Sequence, residues 1–563
     1  MAKSTLRSVN KPYPLNKIKW LYNMRELVEY TSEKFGRNNA FTYEDENDRE
    51  INVSFNRFRE EITALGASFY SKNIKDERIA LLGETSYLWI LSYFAGVNGG
   101  NAIVPLDKNL SAENLETLIK DCESSVLIYS DDFADIAQKI KTDKLRLKFN
   151  IKTDIVQMLE TGKKFVAEKS EYAKEFIEYK LDSEKLATII YTSGTTGVSK
   201  GVMLSHKSMI FDVDAGLSYV EIFGRELLVL PLHHSFSFTA CILAAHYSGC
   251  DIVINKSLKN VVSDLQKYKP NCILLVPLFV ETFYKKIWQG AAKQKKDKLL
   301  RKLIDISNSL LKVNIDLRRV LFKSVLTAAF GGNLDAIVTG GAPIDEKYIK
   351  GFRELGVNIM NGYGITECSP IVAVTRNAYY RDGSVGLVLP KTKVKIWEPD
   401  EDGCGEICVQ GEIVMMGYYK NPEATKEAFF EDGEGKWFRT GDIGKIDKDN
   451  FLYISGRKKN LIILSNGENV SPEGLEQEIL NEYPYVKEVV CFQEDNIIAA
   501  EAFFNKEYIE ETGTQNVDYG NKFERDIVEF NRKQPPQKNI GKVFVRNTEF
   551  PKTTTQKIKR NYK

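Results

Sequence analysis

Short apolar runs alternate with stretches of helical spacing over most of the chain, and the alternation predicts its architecture. The segment FTYEDENDREINVSF, residues 41–55, reads as a β-hairpin. Arg78 to Gly83, Ala102 to Leu106 and Ser125 to Tyr129 read as strands, with a buried helix over Tyr87 to Gly96 and an amphipathic one over Asn109 to Cys122. Strands that alternate with helices in this way imply βαβ units and a mostly parallel sheet. Residues 130–185, rich in Lys and Glu, read as solvated helix and connecting loop. Leu186 to Ile190, Leu227 to Leu232, Leu334 to Thr339 and Val357 to Met360 are further apolar runs, predicted as buried strands. From Gly383 the texture changes to VGLVLP, VKIWEP, GEICVQG and IVMMGYY, short strands broken by Gly, Pro and Asp that predict an antiparallel β subdomain. Beyond residue 460 a strand, a Gly loop and a helix open a small C-terminal α+β domain, with Ser471 predicted to cap the helix and Pro472 as its first residue.

At 563 residues the chain is too long for one core, so two or more domains are expected. Hydrophobic residues at 43% and charged residues at 28% suit a soluble globular protein. A net charge of +1 gives no global reason to expect nucleic acid or an anionic membrane as partner. The eight cysteines are scattered, and CxxxC at Cys404 and Cys408 has no companion to complete a zinc set, so reduced structural thiols are expected. The N-terminus is basic without an apolar segment behind it, and no run approaches the ~18 apolar residues of a spanning helix. These features predict a cytoplasmic protein. Local charge is less even: residues 285–302, KKIWQGAAKQKKDKLLRK, hold eight cations against one acid. They read either as a solvated helical face or as a patch that meets an anionic membrane surface, which would place the protein peripherally on the inner face of the membrane.

Candidate chemistry concentrates at strand ends. After the run at Leu186 to Ile190 come Thr192, Ser193, Gly194, Thr195, Thr196 and Gly197, and then Lys200. Glycines that let backbone N–H groups turn inward, hydroxyl donors and a point charge make an anion-binding loop. The GxxxxGK[ST] spacing of a Walker A loop is absent. All four histidines fall between 206 and 246, and His233 and His234 sit side by side after an apolar run, where α/β sheets bind ligands. Gly340, Gly341 and Ala342 follow one predicted strand, and Asn361-Gly362-Tyr363-Gly364-Ile365-Thr366-Glu367 follows the next. Tyr363 can stack on a base, Thr366 can bond a phosphate, and Glu367 can hold Mg²⁺, a hard cation that takes oxygen ligands. Asp442 offers two acceptors to a ribose diol.

The strand followed by TSGTTGxxKG, with PxxHxF at 231–236, GGAP at 340–343, YGxTE at 363–367, TGD at 440–442 and GRKK at 456–459, resembles the adenylate-forming (AMP-binding) superfamily of acyl-CoA synthetases, luciferases and peptide-synthetase adenylation domains. The basic insert after residue 285 is similar to that of the long-chain fatty acid–CoA ligases. The resemblance implies an adenylation domain over 1–457, made of two α/β subdomains and a small β subdomain, and a mobile C-terminal domain over 458–563. It implies ATP/AMP contacts from Thr192, Ser193, Gly194, Thr195, Thr196, Gly197, Lys200, Gly341, Ala342, Asn361, Gly362, Tyr363, Gly364, Thr366, Asp442 and Arg457, with Mg²⁺ on Glu367 and Thr195. His234, Phe236, Gly340 and Gly341 would line the acyl pocket, and Lys459 would be the hinge. Ser465, Asn466, Gly467 and Glu468 would face coenzyme A. Lys557 would be catalytic together with His234 and Thr366, although Gln556 stands where the PxTxTGKIxR motif has glycine. The implied substrates are a fatty acid, ATP and coenzyme A. Because the sequence ends six residues after Lys557, no carrier domain is expected in cis, and a separate acyl carrier protein is the alternative acceptor. A non-catalytic lipid-binding protein on the same fold is the reading from a different class.

Overall fold

The computed structural model describes residues 13–192, 199–463, 469–495, 497–552 and 558–560. Its contacts divide the chain into two compact units, residues 1–393 with 409–438, and residues 394–408 with 439–563. The cut implied at 457/458 falls within the second unit, which also takes residues 439–457.

The first unit is built on two mostly parallel sheets. One has seven strands in the order Leu147–Asn150, Val126–Tyr129, Arg78–Leu82, Ala102–Leu106, Leu186–Thr192, Lys200–Ser205 and Gly417–Tyr418. Its first five strands are parallel and its last two pairings antiparallel. Ala102–Leu106 is buried at every residue, and the helix Tyr87–Asn98 along almost its whole length, as strands covered on both faces require. The predicted amphipathic helix spans Ala112–Asp121, where Ser111 accepts a hydrogen bond from the Asn114 N–H at 3.3 Å. Residues 130–185 hold more than solvated helix. Leu147–Asn150 is an edge strand, and the helix Asp154–Ala167 meets the helix Phe55–Ser71 so closely that a Cβ at Gly162 would stand 1.8 Å from the Ala64 carbonyl oxygen.

The second sheet has nine strands, ordered Glu50–Ser54, Asn39–Glu44, Asp251–Ile254, Arg225–Leu228, Cys272–Leu275, Ala336–Gly340, Asn358–Gly364, Ile371–Val374 and Leu387–Val388. Its six central strands are parallel, and both ends are closed by antiparallel pairs, one of them the predicted hairpin. The run at 227–232 is strand only as far as Leu228. Two segments assigned from sequence to a β subdomain belong elsewhere: Leu387–Val388 closes the nine-stranded sheet and Gly417–Tyr418 the seven-stranded one. A two-residue edge strand carries no period that could name its partner. The basic insert forms the helices Pro277–Lys293 and Asp297–Lys312, broken at Lys295, whose φ is 56°.

In the second unit, Asp442 to Ile446 pair antiparallel with Leu452–Arg457. The strands Val486–Glu494, Ile497–Phe504 and Ile540–Arg546 form a sheet covered by the helices Pro472–Glu482 and Tyr519–Arg532, around a core that includes Leu475, Ile479, Val489, Phe523 and Ile527. Pro472 does start its helix, but Ser471 does not cap it with its side chain. Its hydroxyl donates instead to the Ser455 carbonyl at 2.6 Å and to Glu473 at 3.1 Å. All eight cysteines are free, and every one but Cys404 is buried. Among the described residues no helix is long and apolar enough to cross a membrane.

Candidate active site

The ends of neighbouring strands in the first unit bring most of the motif residues together. Thr192 is the last residue of its strand and lies opposite Lys200, its hydroxyl donating to the Lys200 carbonyl at 3.4 Å. The two strands thus hold the ends of the hydroxyl-rich loop at one point. Ser193, Gly194, Thr195, Thr196 and Gly197 lie outside the described residues.

In the nine-stranded sheet, parallel pairing sets Thr339 against Asn361 and Gly340 against Gly362, so the GGAP and NGYG segments leave the sheet side by side. Close approach requires glycine at one of these positions and crowds a side chain at another. A Cβ at Gly364 would stand 2.1 Å from the Pro370 carbonyl oxygen, and one at Gly340 would stand 3.1 Å from the Gly362 carbonyl oxygen and 3.6 Å from the Phe236 ring. Two residues expected to line the acyl pocket, Gly340 and Phe236, are therefore neighbours. Gly341 takes a left-handed φ of 82° with open space where a side chain would be, and Ala342 follows it. Asn361 accepts two hydrogen bonds at its carbonyl from Thr375, at 2.9 and 3.0 Å, which fixes the start of the Tyr363 loop.

Thr366 and Ser235 share a hydrogen bond of 3.2 Å between their hydroxyls, linking the YGxTE loop to the histidine segment. Glu367 is held by Tyr418, whose hydroxyl donates to Oε1 at 2.9 Å. Lys200 lies with Nζ 4.9 Å from the centre of the same Tyr418 ring. Tyr418 thus joins the cation that follows the hydroxyl-rich loop to the carboxylate of the YGxTE motif. The sequence reading places it only within a short strand of the antiparallel β subdomain, although a tyrosine beside a strand end was the available signal.

The four histidines divide by environment. His206 and His246 are core residues, each pushed down to about 3 by burial. His246 lies among Phe41, Phe55 and Phe58 with Nε2 2.9 Å from the Thr31 hydroxyl. The His233 and His234 rings pack with centroids 4.1 Å apart, and His233 Nε2 stands 3.6 Å from Asp107 Oδ1. Burial lowers the His233 pKa and Asp107 opposes that shift, so a neutral ring is favoured.

Behind Phe236 the chain winds into a π-helix over Ser237–Ala244, a rare geometry often found beside functional sites. Thr239, Ala240 and Ala244 from this turn, with Leu217, Val338 and Val374, border a small cavity of about 50 Å³ whose wall is apolar. Val338 is two residues before Gly340, so the cavity runs about 7 Å back along the strand from the GGAP turn. Asp212, fully buried, also borders it. Oδ1 accepts from the Ile371 N–H at 3.1 Å, Oδ2 has no partner among the described residues, and burial raises the carboxyl well above its ordinary range.

The donor set suits magnesium. Among the described residues no three His, Cys, Asp or Glu side chains converge on one point. A single carboxylate beside a hydroxyl is what an ion bound chiefly through nucleotide phosphates needs. Thr195, the second expected ligand, is outside the described residues.

In the second unit, Asp442 is paired with Arg457 directly across the strands, Oδ1 to Nε at 2.9 Å. Lys459 is exposed in a 3₁₀ turn at 458–460 that follows Arg457, and burial of its neighbourhood together with the Arg457 charge lowers its pKa. Lys458 and Arg439 both bond Glu406, at 2.9 and 2.6 Å, which pins the strand before that turn. Arg560 bonds Glu476 at 2.8 and 2.5 Å and the Cys491 carbonyl at 3.3 Å, fastening the C-terminal tail to its sheet. Lys557 and the residues Ser465, Asn466, Gly467 and Glu468 lie outside the described residues.

Comparison with known proteins matches residues 28–419 to the family described as AMP-binding enzyme and residues 459–562 to the AMP-binding enzyme C-terminal domain. The chain is 31% identical over 438 residues to the long-chain-fatty-acid–CoA ligase FadD15 of Mycobacterium bovis, covering 74% of this chain and 70% of that protein. It is 27% identical over 568 residues to the chloroplastic long-chain-fatty-acid–[acyl-carrier-protein] ligase AEE15 of Arabidopsis thaliana, covering 86% of this chain and 76% of the other. Its fold is that of O-succinylbenzoate coenzyme A synthetase (MenE) from Bacillus subtilis in complex with ATP and magnesium ion, at a TM-score of 0.70 and 21% identity over 95% of this chain and 98% of that one. With a matched AMP-binding region that spans most of the chain and a matched C-terminal domain behind it, this protein belongs to the AMP-binding, adenylate-forming enzymes.

Proposed function

We propose that this enzyme activates a long-chain fatty acid with ATP to the acyl-adenylate and then passes the acyl group to coenzyme A, releasing AMP and pyrophosphate. The observation that carries the reading is the cluster at the strand ends, where Lys200, Tyr418 and Glu367 are bound in one chain of contacts. Two anions must meet when a carboxylate attacks the α-phosphate, so fixed cations and oriented donors have to face the developing charge. Lys200 and the 192–197 loop hold the β- and γ-phosphates in this scheme, and Thr366 donates to the α-phosphate. Mg²⁺, when bound at Glu367, supplies positive charge against the phosphate oxygens. Tyr363 stacks on the adenine, flanked by Gly341 and Ala342, while Asp442 and Arg457 bond the ribose. His234 and Phe236 hold the acid's carboxylate end, and Lys557 bridges the carboxylate and the α-phosphate. A turn of the C-terminal domain about Lys459 then withdraws Lys557 and brings residues 465–468 to the adenylate, where the thiol attacks the acyl carbon and AMP leaves.

The long acyl chain rests on the name of the mycobacterial relative. The acceptor has one competitor, because the Arabidopsis relative is named a ligase to acyl carrier protein. The deciding experiment is AMP release from ATP with Mg²⁺ and palmitate, with and without coenzyme A. Many turnovers only with coenzyme A are expected. One equivalent of acyl-adenylate, unaffected by coenzyme A, would assign the acceptor role to a carrier protein. No adenylate from any acid would refute the enzymatic reading. Lys557→Ala is expected to abolish adenylation while sparing thioester formation from supplied acyl-AMP, and equal loss in both would rule out the two-position scheme.

A further inference from the structure

The thioester half of the proposed reaction has a proton to place. The thiol loses it as sulfur attacks the acyl carbon, and a thiol of pKa ~8.5 is only about 3% ionised at pH 7. Lys200, Arg457 and Lys557 are already cations, while Glu367 and Asp442 are engaged by Tyr418 and Arg457. Glu468, expected to face coenzyme A, lies outside the described residues. An ordinary carboxylate, at ~4.3, is also a poorer match to a thiol than imidazole, at ~6.5.

His233 is an imidazole with a carboxylate behind it. Its Nε2 stands 3.6 Å from Asp107 Oδ1, and the two side chains are 10% and 18% exposed. Asp107 directly follows the strand Ala102–Leu106, and its Oδ1 accepts from the Asn109 N–H at 2.9 Å and from Asn109 Nδ2 at 3.1 Å, so the charge is held in place. Nε2 of His233 has no hydrogen-bond partner among the described residues. A neutral ring with its proton on Nε2, towards Asp107, keeps its lone pair on Nδ1. A second proton then makes an imidazolium beside a fixed carboxylate rather than an uncompensated charge in a largely buried place. Lys108 opposes that charge, but its ammonium is itself 3.8 Å from Glu84. The His233 ring packs on His234 with centroids 4.1 Å apart, and Ser235 bonds Thr366 at 3.2 Å, so the pair stands beside the segment tied to the YGxTE loop. His206 and His246, by contrast, are sealed in the core.

We propose that His233, backed by Asp107, is the base of the thiol half-reaction. As sulfur bonds to the acyl carbon and the bond from that carbon to the phosphate oxygen of AMP breaks, the S–H proton passes to Nδ1, and the imidazolium later gives it to water. Asp107 is a positioning residue that stabilises the imidazolium. The assignment rests on the acyl-adenylate and coenzyme A reading, and gives neither residue a part in adenylation.

The test follows thioester formation from supplied palmitoyl-AMP and coenzyme A between about pH 6 and about pH 9.5. Adenylation by the same preparations is read as ATP–pyrophosphate exchange with palmitate. The wild-type rate should rise along the titration of an imidazole and level off. His233→Gln, left with the thiolate already present, should lose about 30-fold at pH 7 and recover almost fully near about pH 9.5, where the thiol ionises unaided. Asp107→Asn should lose about tenfold and move the acid limb to lower pH, because the charge that favours the imidazolium is gone. Adenylation should persist in both variants, which separates the loss from misfolding. Equal loss in the two half-reactions, a pH-independent loss in His233→Gln, or an unmoved acid limb in Asp107→Asn would overturn the assignment. So would a pH-dependent loss in Glu468→Gln with none in His233→Gln. A wild type that adenylates palmitate but forms no thioester with coenzyme A overturns the acceptor reading and the base with it, whereas one that forms it at a rate both variants match overturns the base alone.

Discussion

Replacing Tyr418 by Phe removes one atom beside Glu367 and tests the proposed role of that carboxylate as the magnesium ligand. The Tyr418 hydroxyl donates to Glu367 Oε1 at 2.9 Å, while the ring carries Lys200 at 4.9 Å from its centre. Phenylalanine keeps the ring and therefore the Lys200 contact, worth about 0.5–1 kcal/mol at an exposed site. What is lost is a hydrogen bond to a charged acceptor, worth about 1.5–3 kcal/mol. Glu367 is only partly buried, so water can replace part of the bond, and the low end of that range applies. At about 1.4 kcal/mol per factor of ten, the magnesium half-saturation should rise about tenfold, within the ~10–100-fold range for partners that orient a metal ligand. The assay is initial pyrophosphate release at saturating ATP and acid, titrated with Mg²⁺. Tyr418→Leu, which loses the ring as well, should add a rise in the ATP requirement that Tyr418→Phe lacks. An unchanged magnesium dependence in Tyr418→Phe would refute the reasoning, even if turnover fell, because the hydroxyl would then act on something other than the placement of Glu367.

Two further predictions concern stability. The Asp214 carboxyl, pushed up to about 7 by burial from an ordinary 3.8, accepts the Leu21 N–H at 2.7 Å. Its folded form keeps a proton that the unfolded chain releases near pH 4, so its contribution is complete below pH 4 and is lost as the pH rises through 7. The span amounts to about 4 kcal/mol, and Asp214→Asn should flatten the pH dependence of urea unfolding between those limits, with an unchanged profile counting against it. Arg560→Ala leaves Glu476 without its bidentate partner at a side chain only 12% exposed, and should cost about 3–5 kcal/mol, read as faster amide exchange in Val486–Glu494. Arg560→Leu with Glu476→Leu should recover most of the loss, and failure to recover would mean that packing rather than charge holds the tail.

The sequence by itself determined the local elements and the motifs, because both are short-range. A buried parallel strand such as Ala102–Leu106 announces itself by its own apolar run, and a loop such as Asn361 to Glu367 carries its donors within seven residues. The same is true of the hairpin at 39–54, whose turn and two strands are contiguous. Only the tertiary structure decided which distant residues meet. Tyr418 reaches Glu367 across 51 positions, because Gly417–Tyr418 pairs with Val202 and Met203 at the edge of the seven-stranded sheet rather than joining a β subdomain. No periodicity over two residues could have said so. His206 and His246 share a stretch of the chain with His233 and His234, but only the fold shows that they are core residues, because burial is a property of what packs on a side chain rather than of its neighbours in the chain.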